Sequence, residues 1–247
     1  YVNGKKVGNW PYGYNSFYFD ITKQLMPGKK NTLAVRLENL PESSRWYPGA
    51  GLYRNVHVIV TENAYIPVWG TYITTPTATK EFAKVNVQTK IVLPEGADAS
   101  KYSVKTSVWN PNGQKLTEQT IPLSQIKYND NSLSQEFIIQ TPTLWSPDMP
   151  ALYSAETRLY EGDQLKDIYT TPFGIRSIEI IPNKGFFLNG EKTVFKGVCN
   201  HHDLGPLGAA VNDAAIRRQI RILKDMGCNA IRTSHNMPAP ELVRSEE

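Results

Sequence analysis

Residues 194–198, VFKGV, and residues 228–232, CNAIR, decide the fold of the last third of this 247-residue chain. Both are short apolar runs, typical of strands buried on both faces of a parallel sheet. The segment between them predicts one amphipathic helix, with Asn212 as its N-terminal cap and Gly227 at its end. The apolar face of this helix carries Ile216, Ile220, Leu223 and Met226. Strand, helix and strand make a parallel βαβ unit, which predicts the opening of a larger α/β domain.

Residues 1–62 carry a different pattern, in which apolar and polar side chains alternate with period two. The alternation occurs in residues 17–21, 33–37 and 56–60, and Asn3-Gly4 is typical of a type I′ hairpin turn. Alternation of this kind predicts antiparallel strands with one buried face. We therefore expect residues 1–62 to be part of a β-sandwich or barrel.

A second β pattern fills residues 63–176. Alternating runs cover residues 85–91, 104–108 and 153–159, and the turn signal NPNG occupies residues 110–113. About seven short strands in this length fit an immunoglobulin-like sandwich. The chain is thus predicted to be multidomain and mainly β, with boundaries near residues 62 and 176 and an α/β segment over residues 177–247.

Composition excludes several classes of function. The net charge is only +4, and basic residues are interspersed with acidic ones, so no nucleic-acid surface is expected. No apolar run is long enough to span a membrane, which predicts a soluble protein. The two cysteines, Cys199 and Cys228, are too few for a disulfide framework and are expected to be buried thiols. The first residues have no signal-peptide character, but they begin within a predicted hairpin, so the location is not predicted and a periplasmic or secreted one stays open.

Polar clusters follow each predicted parallel strand. One is His201-His202-Asp203, and the other is Ser234-His235-Asn236. Because parallel strands end at one edge of a sheet, and barrel active sites lie at that edge, we expect the two clusters to meet in a functional site. Any one of these histidines taken alone favours a structural role at a strand end, and it is the presence of both clusters at one edge that favours a function.

A metal site is the weaker interpretation of these histidines. Adjacent side chains in extended chain point to opposite sides, so His201 and His202 do not suit one metal ion. Elemental analysis for bound metal discriminates between the two interpretations.

A separate cluster, residues 44–54, combines Arg45 and Trp46 in a loop shaped by Pro and Gly, which suits either stacking on a sugar or simple packing.

Together these residues resemble glycoside hydrolase family 2, in particular its β-galactosidase-like members. The resemblance covers essentially the whole chain and rests on six segments in the family's order. They are residues 10–14 (WPYGY), 44–54, 144–147 (LWSP), 173–176 (FGIR), 197–203 (GVCNHHD) and 231–236 (IRTSHN). Two departures stand out: many relatives have Asn at the position of Cys199, and some galactosidases have an acidic residue near Arg45.

The resemblance implies the layout of the chain. Residues 1–62 correspond to the C-terminal part of a jelly-roll sugar-binding domain, residues 63–176 to an immunoglobulin-like sandwich, and residues 177–247 to the truncated start of a (β/α)8 TIM barrel. The implied activity is that of a retaining β-galactosidase, which hydrolyses terminal non-reducing β-D-galactosides in oligosaccharides and glycans. The alternatives are β-glucuronidase, β-mannosidase, or a non-catalytic carbohydrate-binding sandwich protein.

The resemblance also implies the roles of individual residues. The substrate-binding residues are His201, Asp203, His235, Asn236, Arg45 and Trp46. The two catalytic glutamates belong to later barrel strands, so no catalytic residue is assigned in this chain and the chain alone is expected to be inactive. No cofactor or bound metal is expected here; a structural or activating cation in the full-length enzyme, and a homo-oligomer, stay open.

Overall fold

The computed structural model divides the chain into two compact units. The first combines Tyr1–His57 with Lys196–Glu246, and the second comprises Val58–Phe195. None of the helices in the described residues is long and apolar enough to cross a membrane. The described residues are 1–39, 51–125, 132–202 and 204–245.

Seven strands of the second unit form two antiparallel sheets. The first sheet has the order β1-β2-β5 and consists of β1 (Thr71–Ala78), β2 (Phe82–Lys90) and β5 (Ser132–Gln140). The second sheet has the order β4-β3-β6-β7 and consists of β3 (Tyr102–Trp109), β4 (Lys115–Pro122), β6 (Leu152–Glu161) and β7 (Gln164–Gly174). A three-stranded and a four-stranded sheet confirm the predicted immunoglobulin-like sandwich.

The alternating sequence explains why these strands pack face to face. Val85 and Val87 of β2 and Val108 of β3 are fully buried in one core cluster, to which both sheets contribute. Buried polar side chains of the two sheets also pair, because the Thr106 hydroxyl donates to Gln135 Oε1 at 2.6 Å. Every second residue therefore faces the core, as the period of a strand requires.

A hairpin sheet completes the second unit, with the strand order β10-β9-β8. Its strands are β8 (Ile178–Ile181), β9 (Gly185–Leu188) and β10 (Glu191–Lys192). The side-chain amide of Asn189 donates from Nδ2 to the Trp145 carbonyl oxygen at 3.0 Å, which connects the hairpin to the sandwich. The hairpin begins at Ile178, just after the boundary predicted near residue 176. The domain boundaries near residues 62 and 176 stay predictions.

The predicted βαβ unit is present in the first unit. Strand β11 (Gly197–Asn200) pairs in parallel with β12 (Ala230–Thr233), and helix α1 (Asp213–Asp225) connects them. Asn212 caps α1, because its Oδ1 accepts from the Ala215 amide at 3.0 Å. A short helix, α2 (Pro240–Ser245), follows β12.

Gly197 lets the two parallel strands approach closely. A Cβ atom at this position would lie 2.1 Å from the Ala230 carbonyl oxygen, so only glycine fits. The pairing runs in register to Asn200 opposite Thr233, and the Ser234 amide then donates to the Asn200 carbonyl at 2.8 Å. As a result, the chain leaves both strands at the same edge of the sheet.

The strand prediction for residues 1–62 is wrong for the described structure. Among the described residues of this range, pairing is limited to isolated bridges, such as those from Val2 to Lys5 and to Leu33. Val60, predicted to face a core, is 87% exposed. The alternating pattern needs neighbouring strands to supply hydrogen bonds and a second layer, and the described residues place none against it.

The prediction that residues 194–198 are buried on both faces is also wrong. The strand begins at Gly197, and Val194 and Phe195 are 65% and 61% exposed. Two parallel strands and one crossover helix leave most of the sheet surface uncovered among the described residues.

Replacing Gly197 by Ala should lower the free energy of unfolding by about 1–3 kcal/mol, since the new methyl group must push β11 away from β12. Urea unfolding followed by circular dichroism measures this change. Gly51→Ala is the matched control, because a Cβ there meets no atom within 4 Å. Equal effects of the two substitutions would contradict the role assigned to Gly197.

Candidate functional site

Two imidazoles meet where the parallel strands end. His201 directly follows β11, and His235 lies two residues beyond β12. Their ring centroids are 5.7 Å apart and the ring planes are almost perpendicular, at 89°. The His201 ring is partly buried and the His235 ring is exposed. The structure therefore brings together the two histidines that the sequence pattern placed at one edge.

Arg232 fixes the orientation of the His235 ring. Its Nη2 lies 3.2 Å from His235 Nδ1, and its Nη1 donates to Ser234 Oγ at 3.0 Å. A guanidinium can only donate, so His235 Nδ1 must accept and the ring proton of the neutral form lies on Nε2. The Nε2–H group is thus left as a donor for a bound molecule.

Sequence reasoning missed Arg232 as part of this site. The register that pairs it with Cys199 was the available signal, because paired residues of parallel strands lie side by side. Arg232 Nη1 also reaches Cys199 Sγ at 3.5 Å. This hydrogen bond, with a smaller contribution from Ser234, lowers the pKa of the Cys199 thiol below its usual value.

The predicted burial of both thiols is wrong in one case. Cys199 is exposed, whereas Cys228 is partly buried, and both are free thiols. Cys199 is exposed because β11 has only β12 beside it among the described strands, so its side chain has no covering layer.

The third site residue, Asn236, is held by the N-terminal segment. The Tyr12 hydroxyl donates to Asn236 Oδ1 at 2.9 Å, although the two residues are 224 positions apart in sequence. Two residues further along, the Tyr14 ring stacks on the His202 ring, with centroids 5.3 Å apart. Both contacts lie within the first compact unit.

Arg54 joins the same two segments through backbone oxygens. Its Nη1 donates to the Tyr14 carbonyl, and its Nη2 donates to the Met237 carbonyl at 2.6 Å. Its guanidinium also lies 5.1 Å from the centre of the Tyr53 ring. Arg54 therefore bridges the segment of residues 12–14 and the loop after β12.

His202 has a structural role rather than a shared site with His201. Burial lowers the pKa of His202, the nearby positive charge of Arg54 lowers it further, and a hydrogen bond to the Asn236 backbone opposes both. The neutral ring packs on Tyr14, whereas the His201 ring packs against His235. Neighbouring side chains thus point to different sides, as extended chain requires.

Three of the predicted substrate-binding residues, Asp203, Arg45 and Trp46, lie outside the described residues, so their roles stay predictions. Within the described part of the chain, no group of three or more His, Cys, Asp or Glu residues is arranged to hold a metal ion. The carboxylate of Glu241 is buried and its Oε1 accepts from Asn55 Nδ2 at 2.7 Å, which indicates a structural role.

The assembled side chains can exchange hydrogen bonds with hydroxyl groups. The His201 and His235 imidazoles lie beside one another where the two strands end, and Asn236 follows His235 in sequence. Imidazole and amide groups both carry hydrogen-bond donors and acceptors. This chemistry suits a polyhydroxylated ring.

Comparisons with known proteins agree with this chemistry. The family model described as "Glycosyl hydrolases family 2" matches residues 65–176. A second model, "Glycosyl hydrolases family 2, TIM barrel domain", matches residues 179–244. The chain belongs to glycosyl hydrolase family 2. The resemblance noted from six sequence segments is therefore confirmed, as are an immunoglobulin-like domain and the start of a TIM barrel.

Several family 2 proteins align along almost the whole chain. Beta-galactosidase BoGH2A of Bacteroides ovatus is 42% identical over 98% of this chain and 29% of its own length. A crystal structure of a family 2 member from Bacteroides cellulosilyticus has a TM-score of 0.91 and 37% identity, over 99% of this chain and 32% of that one. A structure of beta-glucuronidase 2 of Bacteroides uniformis, covalently bound to cyclophellitol-6-carboxylate aziridine, has a TM-score of 0.82 and 30% identity. The match covers 99% of this chain and 31% of that one. The chain thus spans about a third or less of each of these relatives.

Proposed function

We propose that this chain is part of a retaining β-glycosidase, in which His201 and His235 bind the sugar ring whose bond is cleaved. The observation that carries the proposal is the pair of imidazoles at the ends of two adjacent parallel strands, 5.7 Å apart. In barrel enzymes, residues at this edge contact the substrate. Membership of glycosyl hydrolase family 2 supports the same reaction class.

The proposed role of His235 follows from its hydrogen bonds. Because Arg232 occupies Nδ1, the Nε2–H group is oriented before a sugar arrives and loses little freedom on binding. A donor aimed at oxygen atoms that gain charge in the transition state is worth about 10²–10³ in rate. Asn236 adds a second polar group nearby, and Asp203, Arg45 and Trp46 complete the proposed contacts to the sugar.

The catalytic carboxylates are proposed to come from residues other than those of this chain. A retaining mechanism needs an acid/base and a nucleophile about 5–5.5 Å apart, and Glu241 is engaged by Asn55. This pair of carboxylates accounts for the chemical step, so we propose no cofactor. The chain then supplies sugar binding without bond cleavage.

A β-D-galactoside is the favoured substrate. The support is the 42% identity to a protein named beta-galactosidase, against 37% to a protein of Formosa agariphila named "Putative beta-glucuronidase" and 30% to a protein named beta-glucuronidase. A β-glucuronide is kept as the second candidate because of the latter two similarities. The non-catalytic carbohydrate-binding sandwich is disfavoured. It predicts a chain without a parallel βαβ unit, whereas β11, α1 and β12 form one.

Nitrophenyl β-D-galactoside, β-D-glucuronide and β-D-mannoside distinguish these substrates. We expect the full-length protein containing this chain to give its highest kcat/KM on the galactoside, and the 247-residue chain alone to release no nitrophenol. A higher kcat/KM on the glucuronide would replace the galactoside by the second candidate. Hydrolysis by the chain alone would overturn the placing of the carboxylates elsewhere.

Replacing His235 by Ala in the full-length protein should lower both kcat and kcat/KM by roughly 10²-fold or more, because a donor to the transition state is lost. Steady-state kinetics on the preferred nitrophenyl glycoside measure the change. His57→Ala is the matched control, since His57 is an exposed histidine outside the site. A loss at His235 no larger than that at His57 would rule out sugar binding by His235.

A further inference from the structure

We infer that Arg54 is a positioning residue, which holds the loop after β12 so that the His235 ring stays beside the His201 ring. It acts from the N-terminal segment, through the backbone of the loop, and its effect reaches the sugar by way of His235. The inference rests on the proposed function, because it takes His235 to bind the sugar.

The direction of both hydrogen bonds from Arg54 follows from the chemistry of the partners. Its Nη1 donates to the Tyr14 carbonyl, and its Nη2 donates to the Met237 carbonyl at 2.6 Å. A guanidinium can only donate and a main-chain carbonyl can only accept, so neither contact can be reversed. One rigid, planar group therefore connects two backbone positions that are far apart in sequence.

The Arg54 end of this connection is itself held in place. The Tyr53 hydroxyl donates to the Gly13 carbonyl at 2.9 Å, so residues 53 and 54 hold the consecutive carbonyls of residues 13 and 14. The guanidinium also lies 5.1 Å from the centre of the Tyr53 ring, an arrangement that favours a cation. Within the described part of the chain no carboxylate forms an ion pair with Arg54, so the carbonyls and the ring stabilise its charge.

Packing does little to hold the loop after β12 at this point. Ser234 is buried, and the next buried side chain is that of Ala239. Of residues 235–237, the first and the last are exposed and the middle one is partly buried. The neutral His202 ring adds a hydrogen bond to the Asn236 backbone. The position of this loop therefore depends on polar contacts.

Hydrogen bonds hold the backbone on both sides of His235. The Ser234 amide donates to the Asn200 carbonyl before it, at 2.8 Å, and Arg54 donates to the Met237 carbonyl after it. A hydrogen bond from a guanidinium is charge-assisted and about twice as strong as a neutral one. Arg54 thus supplies the stronger of these two contacts.

This anchoring determines where the His235 ring lies. Arg232 sets the rotation of the ring through Nδ1, whereas Arg54 holds the backbone that carries the ring. A misplacement of about 1 Å, caused by a change away from the chemistry, can cost about 10²-fold in rate. Loss of Arg54 should therefore act as a partial loss of the contact that His235 makes.

A double-substitution cycle with His235 tests the inference in the full-length protein. Arg54→Ala, His235→Ala and the double variant are compared by kcat and KM on the preferred nitrophenyl glycoside. We expect Arg54→Ala to lower kcat/KM about tenfold to 10²-fold, mainly through kcat. The double variant should be within about threefold of His235→Ala, because the two residues act through one contact.

Activity is expressed per intact active site, so that a partly unfolded variant does not imitate a positioning effect. A dinitrophenyl 2-deoxy-2-fluoro glycoside traps the glycosyl-enzyme of a retaining enzyme, and the burst of dinitrophenol counts the intact sites. Arg36→Ala is the matched control and should leave kcat/KM unchanged, since Arg36 lies in the same unit and forms an exposed ion pair with Glu38.

Chemical rescue and a conservative variant separate this role from a purely structural one. Guanidinium ion should restore part of the kcat of Arg54→Ala, because it can donate to both carbonyls, whereas methylammonium ion should restore less. It should restore nothing once His235 is also replaced. Arg54→Lys keeps the charge without the planar fork and should have an intermediate kcat. If the alanine variant fails to fold, the same cycle is made with Arg54→Lys.

The outcomes distinguish the inference from the function on which it rests. An unchanged kcat per active site in Arg54→Ala, or losses that multiply in the double variant, would overturn the positioning role while glycosidase activity stands. Rescue by guanidinium that persists without His235 would do the same. No hydrolysis of any nitrophenyl glycoside by the unsubstituted protein would overturn the proposed function itself.

Discussion

The close parallel pairing of β11 and β12 is the constraint on which the candidate site depends. Gly197 permits it, because any side chain there would collide with the Ala230 carbonyl. The in-register pairing ends both strands at one edge, and the following residues carry the His201 and His235 rings to within 5.7 Å. A shift of one residue in this register would send one of the two imidazoles to the other face of the sheet.

Local patterns were sufficient to predict several parts of the structure. The period-two alternation of β2 and β3 follows from which side chains face the core, and the Asn212 cap follows from unpaired amides at a helix start. The same alternation gave a wrong result for Val60, because a strand also needs partners that the pattern does not contain. Cys199 was misjudged for a related reason, since its burial depends on layers beyond β11 and β12.

The polar frame of the site could not be predicted from sequence. The hydrogen bond between Tyr12 and Asn236 joins residues 224 positions apart, and Arg54 joins two loops through backbone oxygens that no side-chain pattern reveals. Arg232 was closer to being predictable, since its register opposite Cys199 follows once the two strands are paired. The sequence therefore indicates which residues meet, whereas the orientation of each ring and amide depends on tertiary contacts.

A crystal structure of the full-length protein with a galactose-configured inhibitor tests the central claim most directly. The account predicts that hydroxyl oxygens of the inhibitor lie within about 2.7–3.2 Å of imidazole nitrogens of both His201 and His235. An inhibitor bound away from the edge where β11 and β12 end, or two histidine rings that turn away from each other, would contradict it.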